Sequence, residues 1–227
     1  KEKKIEVEDY SNFQMTLRFL AGAMGLPYIV TKSGLETDIV KTEGFSKESR
    51  GQGKIPQHKL KVVENSLCPQ DGNVVVLPPL TPDVTLLHAQ YAGEDGTIRI
   101  QGLTFADIEQ AKAAGRVIVS CEKVLPTEEI RRDPDQNCLP HFLVDAIVVA
   151  PFGAHPTACH MYYDYDPFHL ANFAKIASND LLFQKYLDEW VYGIDTQEKY
   201  MAKISESDIE KIKADPALGY APGLDRR

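Results

Sequence analysis

No stretch of this 227-residue sequence is apolar for long enough to cross a bilayer, and its first residues carry no signal-peptide pattern. Paired cysteines are missing as well. Cys68, Cys121, Cys138 and Cys159 lie far apart with no C-x-x-C, which disfavours a disulfide framework; reduced thiols and a cytoplasmic setting are expected. Positive charge is scarce: 25 Lys and Arg against 33 Asp and Glu leave a formal net charge of −8. That denies a nucleic-acid partner the basic surface it needs, while a local basic patch still suits a small anion. G-x-S-x-G, G-x-x-x-x-G-K-S and G-x-G-x-x-G are all absent, so hydrolase-elbow, P-loop and dinucleotide readings lose their usual support. There is no internal repeat and no low-complexity segment.

What is present is an ordinary globular composition, 43% hydrophobic and 26% charged, with enough chain for one large domain or two small ones. Ile5 and Val7 alternate with Glu6 and Glu8 as in a strand, and a chain that opens in mid-element is expected to lack an N-terminal part. Ser11 and Gln14 form an S-x-x-Q capping box, Phe13, Leu17 and Leu20 follow at helical spacing, and Gly25 and Pro27 end the helix. With a strand at Tyr28 to Thr31, this predicts a βαβ opening with parallel pairing. Lys41 to Lys59 is expected to be a long loop. Leu60 to Glu64 and Asn73 to Leu77 flank Pro69-Gln70-Asp71-Gly72 as a hairpin with an extended turn. Strands are predicted at Val84 to Gln90, Thr97 to Gln101 and Arg116 to Cys121, with a helix between the last two capped by Thr104 and closed by Gly115. Helices are expected over 168–177, 180–192, 197–204 and 207–214, then an extended tail. The fold class is α/β: a mostly parallel open sheet with flanking helices and a helical C-terminal extension. Residues 1–166 would form the α/β domain and 167–227 the extension.

Phe142 to Ala150 is a mostly apolar run interrupted by Asp145, read as a strand buried on both faces. It ends in Pro151-Phe152-Gly153-Ala154-His155-Pro156, a rigid loop at a strand's C-terminal end, where ligands bind in open α/β sheets. His155 could stand at the mouth of a site or bond to backbone on the surface; Gly153 permits close approach of a ligand or of another backbone. Ser33 and Gly34 follow a strand in the same way and suit a carboxylate or thioester oxygen, with a plain turn as the alternative. Asn12, in the first turn of a helix, is a candidate anion contact, since Gln14 is used by the capping box. Lys41, Lys47, Arg50, Lys54, Lys59 and Lys61 concentrate positive charge in one region, as an anion attractor or as a solvated loop. Asp166 before Pro167 reads as an N-cap. His155, Cys159 and His160 match no standard zinc spacing, so no metal is expected.

Three blocks carry a family resemblance: Gly25 to Ile39 (GLPYIVTKSGLETDI), Leu77 to Ile98 (LPPLTPDVTLLHAQYAGEDGTI) and Leu139 to Thr157 (LPHFLVDAIVVAPFGAHPT). The chain resembles the A subunit of family I coenzyme A transferases, glutaconate type, over nearly its whole length. The resemblance implies two related α/β halves sharing one site, with no permanently bound cofactor and with coenzyme A and acyl-CoA as substrates. It implies a glutamate nucleophile passing through acyl-glutamyl and glutamyl-CoA intermediates, which gives ping-pong kinetics. In the family that glutamate lies in a Ser-Glu-Asn-Gly-like motif on the B half. Here the one Glu-Asn pair, Glu64-Asn65, sits in a hairpin strand, and the family's N-terminal Gly-Gly-Phe motif is absent. No catalytic residue is therefore expected on this chain, and a B subunit is the implied partner. The substrate-binding candidates are Asn12, Ser33, Gly34, Gly153 and His155, and the basic loop would attract the coenzyme A phosphates. Two alternatives are one half of a CoA-ester ring-opening hydrolase and a non-catalytic structural subunit. The A-chain glutamate that the resemblance gives those hydrolases falls near Asn12, and an amide cannot act as a general base.

Overall fold

The computed structural model describes residues 5–53 and 55–225. The chain divides into two compact units, residues 1–85 with 105–116 and residues 86–104 with 117–227. The C-terminal helices fall in the second unit together with the larger sheet.

In the first unit, helix α1 (Asn12–Ala23) starts as the sequence predicts. Ser11 Oγ accepts the Gln14 N–H at 3.1 Å and Gln14 Oε1 accepts the Ser11 N–H at 3.1 Å. Gly25 at φ +66 closes the helix. Strand β1 (Ile29–Thr31) pairs antiparallel with Asn73–Leu77, which pairs antiparallel with Lys61–Glu64. In chain order these last two are β3 and β2, and the sheet runs β1-β3-β2. The predicted hairpin is present, its register running from Lys61 opposite Val76 to Glu64 opposite Asn73. The predicted βαβ opening is not. Residues 5–10 form no strand, because their acidic side chains bind elsewhere: Glu6 accepts the Ser46 N–H, and Glu8 accepts the Phe45 N–H and pairs with the Arg50 guanidinium. Those contacts also order the expected loop, which follows a 3-10 turn at Asp38–Val40 and contains helix α2 (Lys47–Gly51), capped by Ser46. Helix α3 (Asp107–Ala113) packs on α1. Thr104 does not cap it, because Gly102 and Phe105, both at positive φ, turn the chain before the helix begins after Ala106.

The larger sheet contains β4 (Thr85–Gly93), β5 (Ile98–Arg99), β6 (Val117–Leu125) and β7 (Ala146–Val149), in the order β5-β4-β6-β7. β5 returns antiparallel through the Gly93 to Gly96 turn. β7 is parallel to β6. β6 is parallel to β4 as well: Thr85 N–H reaches Arg116 C=O, and further along both chains Glu94 N–H reaches Leu125 C=O. The α/β class and mostly parallel pairing hold for this sheet. β7 is shorter than predicted and is an edge strand, not one buried on both faces; Val148 and Val149 are 51% and 57% exposed. A 3-10 turn at His141–Leu143 occupies the start of the apolar run, and Asp145 sets where β7 begins, its carboxylate accepting the Val117 N–H at 2.7 Å.

Helix α4 (Thr127–Arg132) lies between β6 and β7, and from Pro167 the chain is mainly helical: α5 (Pro167–Ile176), α6 (Asp180–Leu187) continuing through a π turn to Tyr192, α7 (Gln197–Met201) and α8 (Glu206–Ile212). Asp166 caps α5 as expected, accepting the Phe168 and His169 N–H groups at 2.9 Å. The tail is folded back instead of extended: the Met161 N–H bonds Gly219 C=O and Ala221 is buried.

Candidate functional site

A polar cluster of the second unit lies between β4, β6 and the Pro151 to Tyr163 segment. His88 on β4 bridges two β6 residues, with Nδ1 2.8 Å from Ser120 Oγ and Nε2 2.7 Å from Glu122 Oε1. Ser120 and Glu122 are two apart on a strand and so share a face. The buried Glu122 carboxylate also accepts the Phe152 N–H (3.1 and 3.0 Å) and the Tyr163 hydroxyl at 2.8 Å. Tyr163 in turn accepts the Ala154 N–H at 2.9 Å, and its ring stacks on Phe152 at 4.3 Å. Burial, reinforced by Glu122, drives the Tyr163 hydroxyl far above its ordinary range, so it remains a donor. Cys159 lies beside the cluster, its thiol pushed up to about 12 by burial and by Glu122. A buried carboxylate with this many donors is held in one orientation and pins the loop to the sheet.

Gly153 lies against this cluster. A Cβ there would sit 2.9 Å from two His88 ring atoms and 2.7 Å from Ala150 O, so the approach it permits within the described structure is to the imidazole. The His155 side chain is buried, with Nδ1 2.6 Å from Tyr200 OH and Nε2 3.3 Å from Asp166 Oδ2. Burial holds this imidazole below its ordinary range against the opposing pull of Asp166. His155 thus ties the loop to α5 and α7 from within, and is not the surface-loop histidine bonded to backbone that the sequence offered as an alternative. The trio weighed as zinc ligands is split, since His155 faces Asp166 and Tyr200 while Cys159 faces Glu122.

In the first unit, Gln14 does more than cap. Its Nε2 donates to Ser33 C=O at 2.9 Å, fixing the start of α1 to the turn after β1. Gly34, at φ +88, comes so close that a Cβ would lie 2.6 Å from that nitrogen. The structure therefore joins Ser33 and Gly34 to the α1 N-terminus, where Asn12 is exposed. Nearby is a cavity of about 600 Å³ whose lining includes Lys41, Lys47, Arg50, His58 and Lys59. Two of its cations are committed to the fold. Arg50 bonds Pro56 C=O and Glu8, and Lys59 Nζ bonds Ile39 C=O at 2.6 Å and Thr42 C=O at 2.9 Å. Lys41 and Lys47 remain at the surface, Lys61 lies on β2, and Lys54 lies outside the described residues. Glu64 ends β2, and Asn65 Oδ1 accepts the Leu67 and Cys68 N–H groups of the turn, so the Glu-Asn pair builds the hairpin.

The sequence reading missed His88, Ser120 and Glu122. Their signal was available: polar side chains interrupting two buried strands, LLHAQ and VIVSCEKV, with two of them at period-2 spacing.

Comparison with known proteins gives this architecture a family. A coenzyme A transferase family model matches residues 1–150. The chain is 38% identical over 218 residues to the A subunit of glutaconate CoA-transferase from Acidaminococcus fermentans, covering 96% of this chain and 68% of that protein. The crystal structure of that glutaconate coenzyme A-transferase superposes with a TM-score of 0.87 at 37% identity, over 96% of this chain and 68% of the other. The A subunit of a 3-oxoadipate CoA-transferase from Pseudomonas knackmussii is 27% identical over 89% of this chain and 65% of its own length. A cholesterol ring-cleaving hydrolase subunit of Rhodococcus jostii is 26% identical over 82% of this chain and 60% of its own. This chain belongs to the coenzyme A transferase family, on the side of its A subunits.

Proposed function

We propose that this chain is the A subunit of a two-subunit enzyme that moves coenzyme A between an acyl-CoA thioester and a free carboxylic acid. The observation that carries the reading is the 38% identity to the A subunit of a glutaconate CoA-transferase along 96% of the chain. The nucleophilic glutamate comes from a partner B subunit. Of the carboxylates considered on this chain, Glu64 belongs to the hairpin, and Glu122 is buried with both oxygens occupied by donors. This chain's part is to bind and orient. Ser33 and Gly34, held by Gln14, offer polar groups to the acyl carboxylate or thioester oxygen, and Asn12 lies at the same helix start. Lys41 and Lys47 at the cavity attract the coenzyme A phosphates. Gly153 and His155 act through the loop they hold in place. The complex works in the cytoplasm with its four cysteines reduced; all four are free thiols, and among the described residues no helix is long and apolar enough to cross a membrane.

The test is to express the chain with and without the B subunit from its own genome and follow CoA exchange between an acyl-CoA and a free acid. Exchange by the pair and none by the chain alone is the expected result. The likeness to a ring-cleaving hydrolase subunit keeps one rival in view. If the pair releases free coenzyme A without an acceptor acid and performs no exchange, the hydrolytic reading replaces this one.

A further inference from the structure

His88, Glu122 and Cys159 come from three separate stretches of sequence, yet an imidazole nitrogen, a carboxylate oxygen and a thiol sulfur all lie within 4.8 Å of one another. Glu122 and Cys159 are 7% and 5% exposed, and the His88 side chain is 13% exposed. We propose that His88 Nε2, a Glu122 carboxylate oxygen and Cys159 Sγ form a binding site for one borderline-soft divalent cation, with zinc the best match to the mixed N, O and S donors.

The hydrogen bonds around the trio support this independently of its spacing. With Ser120 Oγ donating to Leu87 C=O at 3.3 Å, its oxygen would accept the N–H of His88 Nδ1, 2.8 Å away, when Nε2 carries the metal. A ligating histidine is commonly held this way, with the second nitrogen donating to a fixed oxygen so that the other lone pair faces the metal. His88 Nε2 lies 2.7 Å from Glu122 Oε1, a hydrogen bond in the metal-free protein that brings an imidazole nitrogen and a carboxylate oxygen to one point. The carboxylate is itself oriented by the Phe152 N–H and the Tyr163 hydroxyl, an outer shell of the kind that supports metal-binding carboxylates. Three protein donors leave one tetrahedral position, and Zn–ligand bonds of about 2.0–2.3 Å suit all three atom types. The transferase reading gives these three side chains no chemical role, so the two proposals stand or fall separately.

The full chain, stripped with a chelator and reducing agent, is titrated with Co²⁺ as a spectroscopic probe and then with Zn²⁺ as competitor. One equivalent of Co²⁺ should produce a near-ultraviolet thiolate-to-metal band and tetrahedral visible bands, both displaced by Zn²⁺. Cys159→Ser should abolish the thiolate band, and His88→Gln should weaken binding by more than about 100-fold. Ser120→Ala should keep the band and weaken binding by about 10-fold. Cys68→Ser and Cys138→Ser should change neither. Failure of the wild-type chain to give the band at one equivalent overturns the proposal. So does a band that survives Cys159→Ser or disappears with Cys68→Ser or Cys138→Ser. If His88→Gln does not fold by circular dichroism, the Cys159 and Ser120 variants decide the question.

Discussion

Replacing Gly153 by alanine places one methyl group against atoms that have little room to retreat. The new Cβ falls 2.7 Å from the Ala150 carbonyl oxygen and 2.9 Å from Cε1 and Nδ1 of His88. Ala150 is itself fixed, its N–H bonded to Cys121 C=O, and the imidazole is held at both ends by Ser120 and Glu122. Overpacking of this kind costs about 1–3 kcal/mol. For a chain of this length each kcal/mol moves the thermal midpoint by about 2–4 °C, so a fall of roughly 2–12 °C is expected. Urea melts should show a lower midpoint with an unchanged slope. In a His88→Ala background the imidazole part of the clash is gone and the Ala150 part remains. The cost of Gly153→Ala should therefore shrink by more than about 0.5 kcal/mol without vanishing. A glycine kept for ligand approach behaves differently, lowering kcat/KM in the assembled enzyme while stability stays put. If Gly153→Ala melts within about 1 °C of wild type, the packing argument is wrong.

Two other outcomes follow from the second unit. Burial holds His155 and His169 below 6.5, with Asp166 opposing in both cases and Tyr200 and Tyr186 as their hydroxyl partners. The unfolded chain thus binds more protons in this range, and stability falls as pH drops below 6.5. Melts at about pH 7.5 and 5.5 should show that loss, and His155→Gln with His169→Gln should flatten it; an unchanged slope in the double variant contradicts the assignment. The edge strand β7, with Val148 and Val149 exposed, and Leu86 at 73% exposure, predicts association in solution. Light scattering should give a mass above 25.3 kDa, and a monodisperse monomer at working concentration refutes the inference.

Several local rules held where the partners were close in sequence, the Thr104 cap being an exception. The Ser11/Gln14 capping box, the β2–β3 hairpin and the Asp166–Pro167 cap are each decided by a few adjacent residues, and each formed as the sequence predicts. Long-range partners decided the rest. Ile5 to Glu8 alternates like a strand, but Glu6 and Glu8 are bound by the Ser46 and Phe45 amides some forty positions on, which no periodicity reveals. The apolar run into β7 looked buried because its composition is; its place at the sheet edge comes from strand order. The same reason accounts for the site. His155 was singled out by its Gly/Pro loop, while its partners Tyr200 and Asp166 lie on or beside helices that come later in the chain. His88 and Glu122 belong to different strands, and only the parallel register of β4 and β6 brings them together.

The account rests on where the covalent intermediate forms. The purified pair of subunits, incubated with acyl-CoA, acid-quenched and digested, can be searched by mass spectrometry for a peptide carrying coenzyme A or the acyl group. The adduct should lie on a glutamate of the B subunit, with the peptides of this chain that contain Glu64 and Glu122 unmodified. An adduct on either of those two residues, or turnover by this chain with no partner present, would contradict the account.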